Sequence, residues 1–323
     1  MSTDILAPKT LIEAITFYND ENNCDKVMVA MRWANIPTCP RCGSKEVKRI
    51  STRMIRRCTA CQKQFTTKVG TIFEDSPLSL SKWLLAVWLL AGAKNGVSSC
   101  EVSRAVGVTQ KTAWFMLHRI REAMRTGTFD KMQGTVEADE TYVGGLEKNK
   151  HADKRIKGAQ GRSGAGKSVV MGILERSPER NASRVRAVLI PKASGKHLKS
   201  EIESTVNEFA NVYTDAWKGY NGLSEKYIHD FVDHAVAYAI GQVHTNGLEN
   251  FWSLFKRMLK GTYVSVEPFH LARYIDEMVF RFNNREGDDR ERFLSVLSMV
   301  SGKRLTYEDL IASYESHYQQ FGV

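Results

Sequence analysis

HTNGLENFWSLFKR, residues 244–257, is the stretch on which the fold turns. At helical spacing Leu248, Phe251, Trp252 and Phe255 make one apolar stripe, while Glu249, Lys256 and Lys260 make a second, polar one. Offsets of seven and eleven residues are close to whole helical turns, so one carboxylate and two cations line a single edge of a helix, a track suited to a polyanion. Taken alone this is an ordinary amphipathic helix with a solvated face; what precedes it gives the acid a task.

Two strand-like segments upstream each end in an acid where an apolar run breaks. In TVEADETYV (135–143) period-two alternation puts Glu137 and Asp139 on one face and Glu140 on the other. In FANVYTDAWKGY (209–220) Val212 and Tyr213 run into Asp215. Between them lie SVVMGILE (168–175) and ASRVRAVLIP (182–191), read as a hairpin, and the helical GKHLKSEIESTVNEFA. The expected order is three antiparallel strands, a crossover helix and a parallel strand, which sets Asp139 and Asp215 on adjacent central strands. KYIHDFVDH (226–234) adds a further strand. Hard divalent cations take oxygen ligands, and acids from two strands and a later helix are able to hold a pair of them.

The strings ADETYVGG, YTDAWKGY and HTNGLENFWSLFKR, in this order and at these distances, resemble the three catalytic blocks of the insertion-sequence DDE transposases that carry an N-terminal zinc ribbon. The similarity extends over nearly the whole chain, including a cysteine quartet and RYIDEMVFRFNNRE near the end. It implies a ribonuclease-H-like catalytic domain in which Asp139, Asp215 and Glu249 bind Mg²⁺ or Mn²⁺ and Lys256 contacts DNA near the cleaved phosphate. His244, Asn246 and Asn250 stand beside Glu249 as alternatives for the third ligand. The implied activity is cleavage at the ends of an element and joining of the 3′ ends to target DNA, by a homodimer or larger assembly. A non-catalytic DNA-binding regulator with a degenerate nuclease fold is the rival reading.

At 323 residues, with 25% charged and 42% hydrophobic residues, the chain has room for about two domains and reads as globular. WLLAVWLLAGA (83–93) is too short to span a bilayer, and residues 1–20 lack the regions of a signal peptide, so no membrane role and a cytoplasmic, nucleoid-associated location are expected. A net charge of +10 calls for a polyanionic partner. Residues 41–70 hold nine Lys or Arg against the single acid Glu46.

Cys39-Pro-Arg-Cys42 and Cys58-Thr-Ala-Cys61, with 15 residues between the pairs, have the spacing of a structural four-cysteine Zn²⁺ site. The residues around them alternate like short hairpins, and Arg56 and Arg57 are candidate DNA contacts. Cys24 and Cys100 stand alone and read as buried apolar residues. SLSKWLLAVWLLAGAK is an apolar helix begun by Ser79. SSCEVSRAVGVTQKTAWFMLHRIREAM then reads as a helix, a turn at Gly107-Val108 and a second helix opened by Thr109, a helix-turn-helix whose Gln110, Lys111 and Thr112 would face the major groove.

Residues 161–168, GRSGAGKS, satisfy the P-loop expression, yet a Gly-rich basic loop precedes them and the β-like SVVMGILE follows where a phosphate-cradling loop would open a helix. No nucleotide partner is expected. Arg281 and Arg285, on the last apolar helix, face either DNA or the core. The fold class is multidomain α+β/α/β: an N-terminal helical segment (1–35), a zinc ribbon (36–73), a helix-turn-helix-like region (74–130), a mixed-sheet catalytic domain (131–290) with a basic loop at 147–167, and a C-terminal helical tail (291–323).

Overall fold

A computed structural model of the chain describes residues 8–50, 53–125, 130–145, 166–177, 179, 182–232 and 241–311. The chain divides into two compact units, residues 1–125 with 261–263 and 287–323, and residues 126–260 with 264–286. No helix among the described residues is long and apolar enough to cross a membrane.

The first unit begins with α1 (Leu11–Tyr18), opened by a reciprocal cap between Thr10 and Glu13, and α2 (Glu21–Trp33), capped by Asp20. Three short antiparallel strands follow in the order β1 (Val47–Ile50), β2 (Ile55–Cys58) and β3 (Gln64–Phe65). Helix α2 is clamped to this sheet by Asp25, whose two oxygens accept from both terminal nitrogens of Arg56 at 2.9 and 2.6 Å, with both side chains buried. Arg56 therefore holds the ribbon to the helix and is not the DNA contact its basic neighbourhood suggested; Arg57 beside it is exposed. Because truncating one partner strands a buried charge, Arg56→Ala is expected to lower stability by about 3–5 kcal/mol in urea unfolding.

Helix α3 (Leu80–Gly92) is capped by Ser79 and buried along most of its length. Helix α4 (Ser99–Val106) ends at Gly107, whose left-handed φ of 65° makes the sharp turn, and α5 (Gln110–Met124) is capped by Thr109. This segment is thus two helices joined by a turn at Gly107.

In the second unit a five-stranded mixed sheet runs β6 (Arg184–Ile190), β5 (Ser168–Glu175), β4 (Thr135–Val143), β7 (Asn211–Asp215), β8 (Ile228–Val232). β4, β5 and β6 are antiparallel neighbours, and β7 and β8 join parallel to β4. Helix α6 (Gly195–Thr205) supplies the crossover. One face packs Val136, Ala138, Met171, Ile173 and Val212 on Leu198 and Ile202 of α6. Alternation sends Glu137 and Asp139 to the other face, toward α7 (Asn246–Met258). β5 starts at Ser168, so the residue after Lys167 opens a strand and not the helix a P-loop requires; most of that motif and of the basic loop lies outside the described residues.

Helix α8 (Leu271–Asn283) seals an edge of the sheet, its Asn283 side chain accepting from Val185 N–H at 2.8 Å and donating to Val185 C=O at 2.9 Å. Arg281 pairs with buried Glu277, and Arg285 donates to Ser183 and Phe282 carbonyls, so both arginines serve packing. Helices α9 (Asp289–Ser298) and α10 (Tyr307–Ile311) belong to the first unit, where the Phe293 ring packs at a tilt against those of Trp88 and Tyr18.

Candidate active site

In the parallel β4–β7 pair Glu137 lies level with Tyr213, and two residues further along both strands come Asp139 and Asp215. Asp215 closes β7 while Asp139 lies midway along β4, near enough that the charge of Asp215 is felt at Asp139. Glu140, one residue on, faces the α6 side, where its carboxylate accepts from the buried Tyr220 hydroxyl at 2.7 Å. Burial, then the charges of Glu140 and Asp215, push the Asp139 carboxyl up to about 7. Burial, with Asp215 adding to it, also raises Glu140. The Trp252 indole N–H and the acids Glu140 and Asp215 are among the groups that act on Asp139. Neighbouring half-buried acids are a donor set that suits a hard divalent cation.

The sign of the pH effect follows. An acid titrating near 7 when folded and near 4 when unfolded leaves the native state holding the extra proton between those values, so this group's contribution to stability is lost as pH rises through that window. In magnesium-free buffer Asp139→Asn is expected to gain about 1–2 kcal/mol over the parent at pH 8 and little at pH 4, read by urea unfolding.

Helix α7 fits the sheet closely. Trp252 lies over β5, and its indole donates to Asp139 Oδ2 at 3.0 Å. The approach requires Gly172, the residue paired with Asp139 across the β4–β5 ladder, because a Cβ there would stand 2.6 Å from Trp252 and 2.9 Å from Leu248. Asp215 Oδ1 accepts from Trp217 N–H at 3.1 Å, which fixes the chain as it leaves β7. Glu249 sits exposed in the first turn of α7, and its charge acts on His244. Lys256 and Lys260 are exposed further along, the second in the π-helical turn Leu259–Tyr263 that ends the helix. Asp139 and Asp215 are thus together; Glu249 is on the helix that crosses them. Among the described residues the cysteine quartet is the group of three or more ligands drawn within 4.8 Å of one another.

That quartet is the second site. Sγ of Cys39 lies 3.7 Å from that of Cys61, and Cys42 3.6 Å from Cys58, a tetrahedral set ready for zinc.

Residues 131–283 match the ISXO2-like transposase domain, and residues 19–64 match the transposase zinc-ribbon domain. The chain thus matches both domains of the zinc-ribbon insertion-sequence transposases. It is 28% identical over 258 residues to an uncharacterized protein in the transposable element ISH50 of Halobacterium salinarum, covering 76% of this chain and 85% of that one. Transposase and zinc-ribbon domains imply that DNA is the partner.

In the transposase the first turn of α5 presents Lys111, exposed and resting over the Tyr307 ring at 5.2 Å. Gln110 donates to Ser99 Oγ at 2.7 Å, and the Thr112 hydroxyl pairs with that of the cap residue Thr109 at 2.8 Å. Cys24 is buried with its Sγ on the Tyr18 carbonyl, whereas Cys100 is exposed, contrary to the sequence reading, because it falls on the outer side of the short helix α4. Sequence reasoning also passed over Trp252 and Gly172: at helical and strand spacing one is indistinguishable from a core aromatic and the other from a break in an apolar run.

Proposed function

We propose that this transposase cleaves phosphodiester bonds at the ends of an insertion sequence and joins the freed 3′ ends to target DNA, using a pair of divalent cations held by Asp139, Asp215 and Glu249. The observation that carries the proposal is that Asp139 and Asp215 stand on the adjacent parallel strands β4 and β7, two residues beyond the paired Glu137 and Tyr213, with the charge of Asp215 felt at Asp139. The strand order β6-β5-β4-β7-β8, with α6 as crossover, is the arrangement a ribonuclease-H-like nuclease uses to place such acids, and supports the same reading.

Magnesium or manganese ions bound there supply a lowered pKa for the attacking oxygen and charge for the leaving one. The chain's own groups do the rest. Asp139 is the oriented ligand, its carboxylate held by the Trp252 indole. Glu249 enters from the first turn of α7, and Lys256 and Lys260, seven and eleven residues on, hold the DNA backbone along the same helix edge. Lys111 of the helix-turn-helix and Arg57 of the zinc ribbon add sequence and backbone contacts. Two copies are needed to hold two element ends, so the working form is a dimer or larger.

The test is a cleavage assay on duplex DNA taken from the boundaries of the element that encodes the chain. With Mg²⁺ the protein is expected to nick at the 3′ end and to join the product to a second duplex. Binding without cutting in Mg²⁺ or Mn²⁺ overturns the proposal in favour of a non-catalytic regulator.

A further inference from the structure

Glu137 is an acid two residues before Asp139 on the same face of β4, yet it is only 1% exposed and both its oxygens are occupied. Oε1 accepts from Arg176 Nε at 2.7 Å, and Oε2 accepts from the backbone N–H of Leu248 at 2.9 Å. It is therefore a structural anion and not a cation ligand. The second bond lies in the first turn of α7, where Thr245 offers no side-chain cap of its own, so an acid from the sheet satisfies and charges the helix N-terminus. Gly247 makes room: a Cβ there would lie 2.9 Å from Glu137 Oε2 and 3.0 Å from Oε1.

Arg176, just beyond β5, completes the joint. Its Nη1 donates to the Gln242 carbonyl at 2.8 Å, and its Nη2 donates to the His244 carbonyl and to His244 Nδ1, both at 2.6 Å. Because arginine only donates, His244 Nδ1 accepts and the ring proton sits on Nε2. The guanidinium also covers the ring of Tyr213, two residues before Asp215, at 5.0 Å. One side chain thus ties β4, β7 and the lead-in to α7.

We infer that Glu137 and Arg176 are the positioning pair that sets Glu249 against Asp139 and Asp215; this rests on the metal-site reading above. Helix α7 is held at two points one turn apart, Leu248 N–H on Glu137 and the Trp252 indole on Asp139. A helix held so can neither slide nor rotate, since one residue of register error turns a side chain by about 100°. Glu249 lies between the two fixed points. Ligand-supporting groups of this kind typically alter metal affinity by about 10–100-fold when removed.

Magnesium demands near-ideal octahedral geometry, so a displaced ligand harms it first. Arg176→Lys keeps the charge on Glu137 and loses the fork to residues 242 and 244; Gly247→Ala pushes the same joint apart without touching a charge. Each variant is measured with Mn²⁺ by electron paramagnetic resonance titration, for thermal unfolding, and for cleavage of boundary DNA in Mg²⁺ and in Mn²⁺, beside Asp215→Asn. Expected are a Tm near the parent's, Mn²⁺ binding weakened about 10–100-fold, and cleavage lost in Mg²⁺ but largely restored at high Mn²⁺. Parent-like Mn²⁺ affinity and Mg²⁺ cleavage in both variants overturn the inference, as does an equal loss in both metals, which marks a merely structural role. Failure of the underlying reading looks different: Asp215→Asn itself would bind Mn²⁺ and cut.

Discussion

Asp215→Asn is expected to reduce metal-dependent cleavage and joining by at least about 10³-fold, because bound cations contribute several kcal/mol of transition-state stabilisation and each 1.4 kcal/mol is a factor of ten. The substitution is nearly isosteric. The amide still accepts from Trp217 N–H, and removal of one of two neighbouring charges relieves Asp139, whose carboxyl burial and the charges of Glu140 and Asp215 push up to about 7. Stability should therefore be unchanged or slightly raised, and DNA binding retained, since the zinc ribbon and helices α4 and α5 are untouched. Gel-shift and cleavage assays on the same preparation check both halves. A variant that binds and still joins strands would remove Asp215 from the chemistry.

Removing zinc should be nearly as drastic for the first unit. The ribbon has strands of only four, four and two residues, and two of its three buried core residues, Cys39 and Cys58, are themselves ligands, with Phe65 the third. Such a sheet cannot bury enough apolar surface to hold itself, and structural zinc contributes on the order of 10–16 kcal/mol in small zinc domains. Cys58→Ser, or a strong chelator, is expected to abolish amide protection across β1–β3 and to weaken DNA binding at least about tenfold, while β4 to β7 stay protected. Hydrogen exchange with zinc analysis reads this directly. Retained protection in zinc-free protein would show that the Asp25–Arg56 pair and Trp33 packing on Phe65 suffice.

Much of this architecture is legible in the sequence because its signals are periodic or local. Alternation in 135–143, the Thr109 cap and the Gly107 turn each act within a few residues, and the cysteines come as two close pairs. The order of the sheet follows from short connections and the handedness of crossovers. What is hidden is pairing over distance. Nothing in the local sequence distinguishes Arg56, bound to an acid 31 positions away, from exposed Arg57 next to it. Glu137 and Arg176 are 39 apart, and Trp252 finds Asp139 across 113 residues. The return of α9 to pack on the first unit is likewise a matter of which apolar face meets which, and composition alone leaves that open.

The central claim is that folding brings Asp139 and Asp215, with Glu249 from the crossing helix, to a common divalent cation. Anomalous diffraction from crystals of the protein with boundary DNA and Mn²⁺ tests it most directly. The expected result is manganese bounded by carboxylate oxygens of Asp139 and Asp215, with Glu249 completing the shell and Lys256 on the adjoining phosphate. Manganese bound elsewhere, with these carboxylates turned from one another, would contradict it.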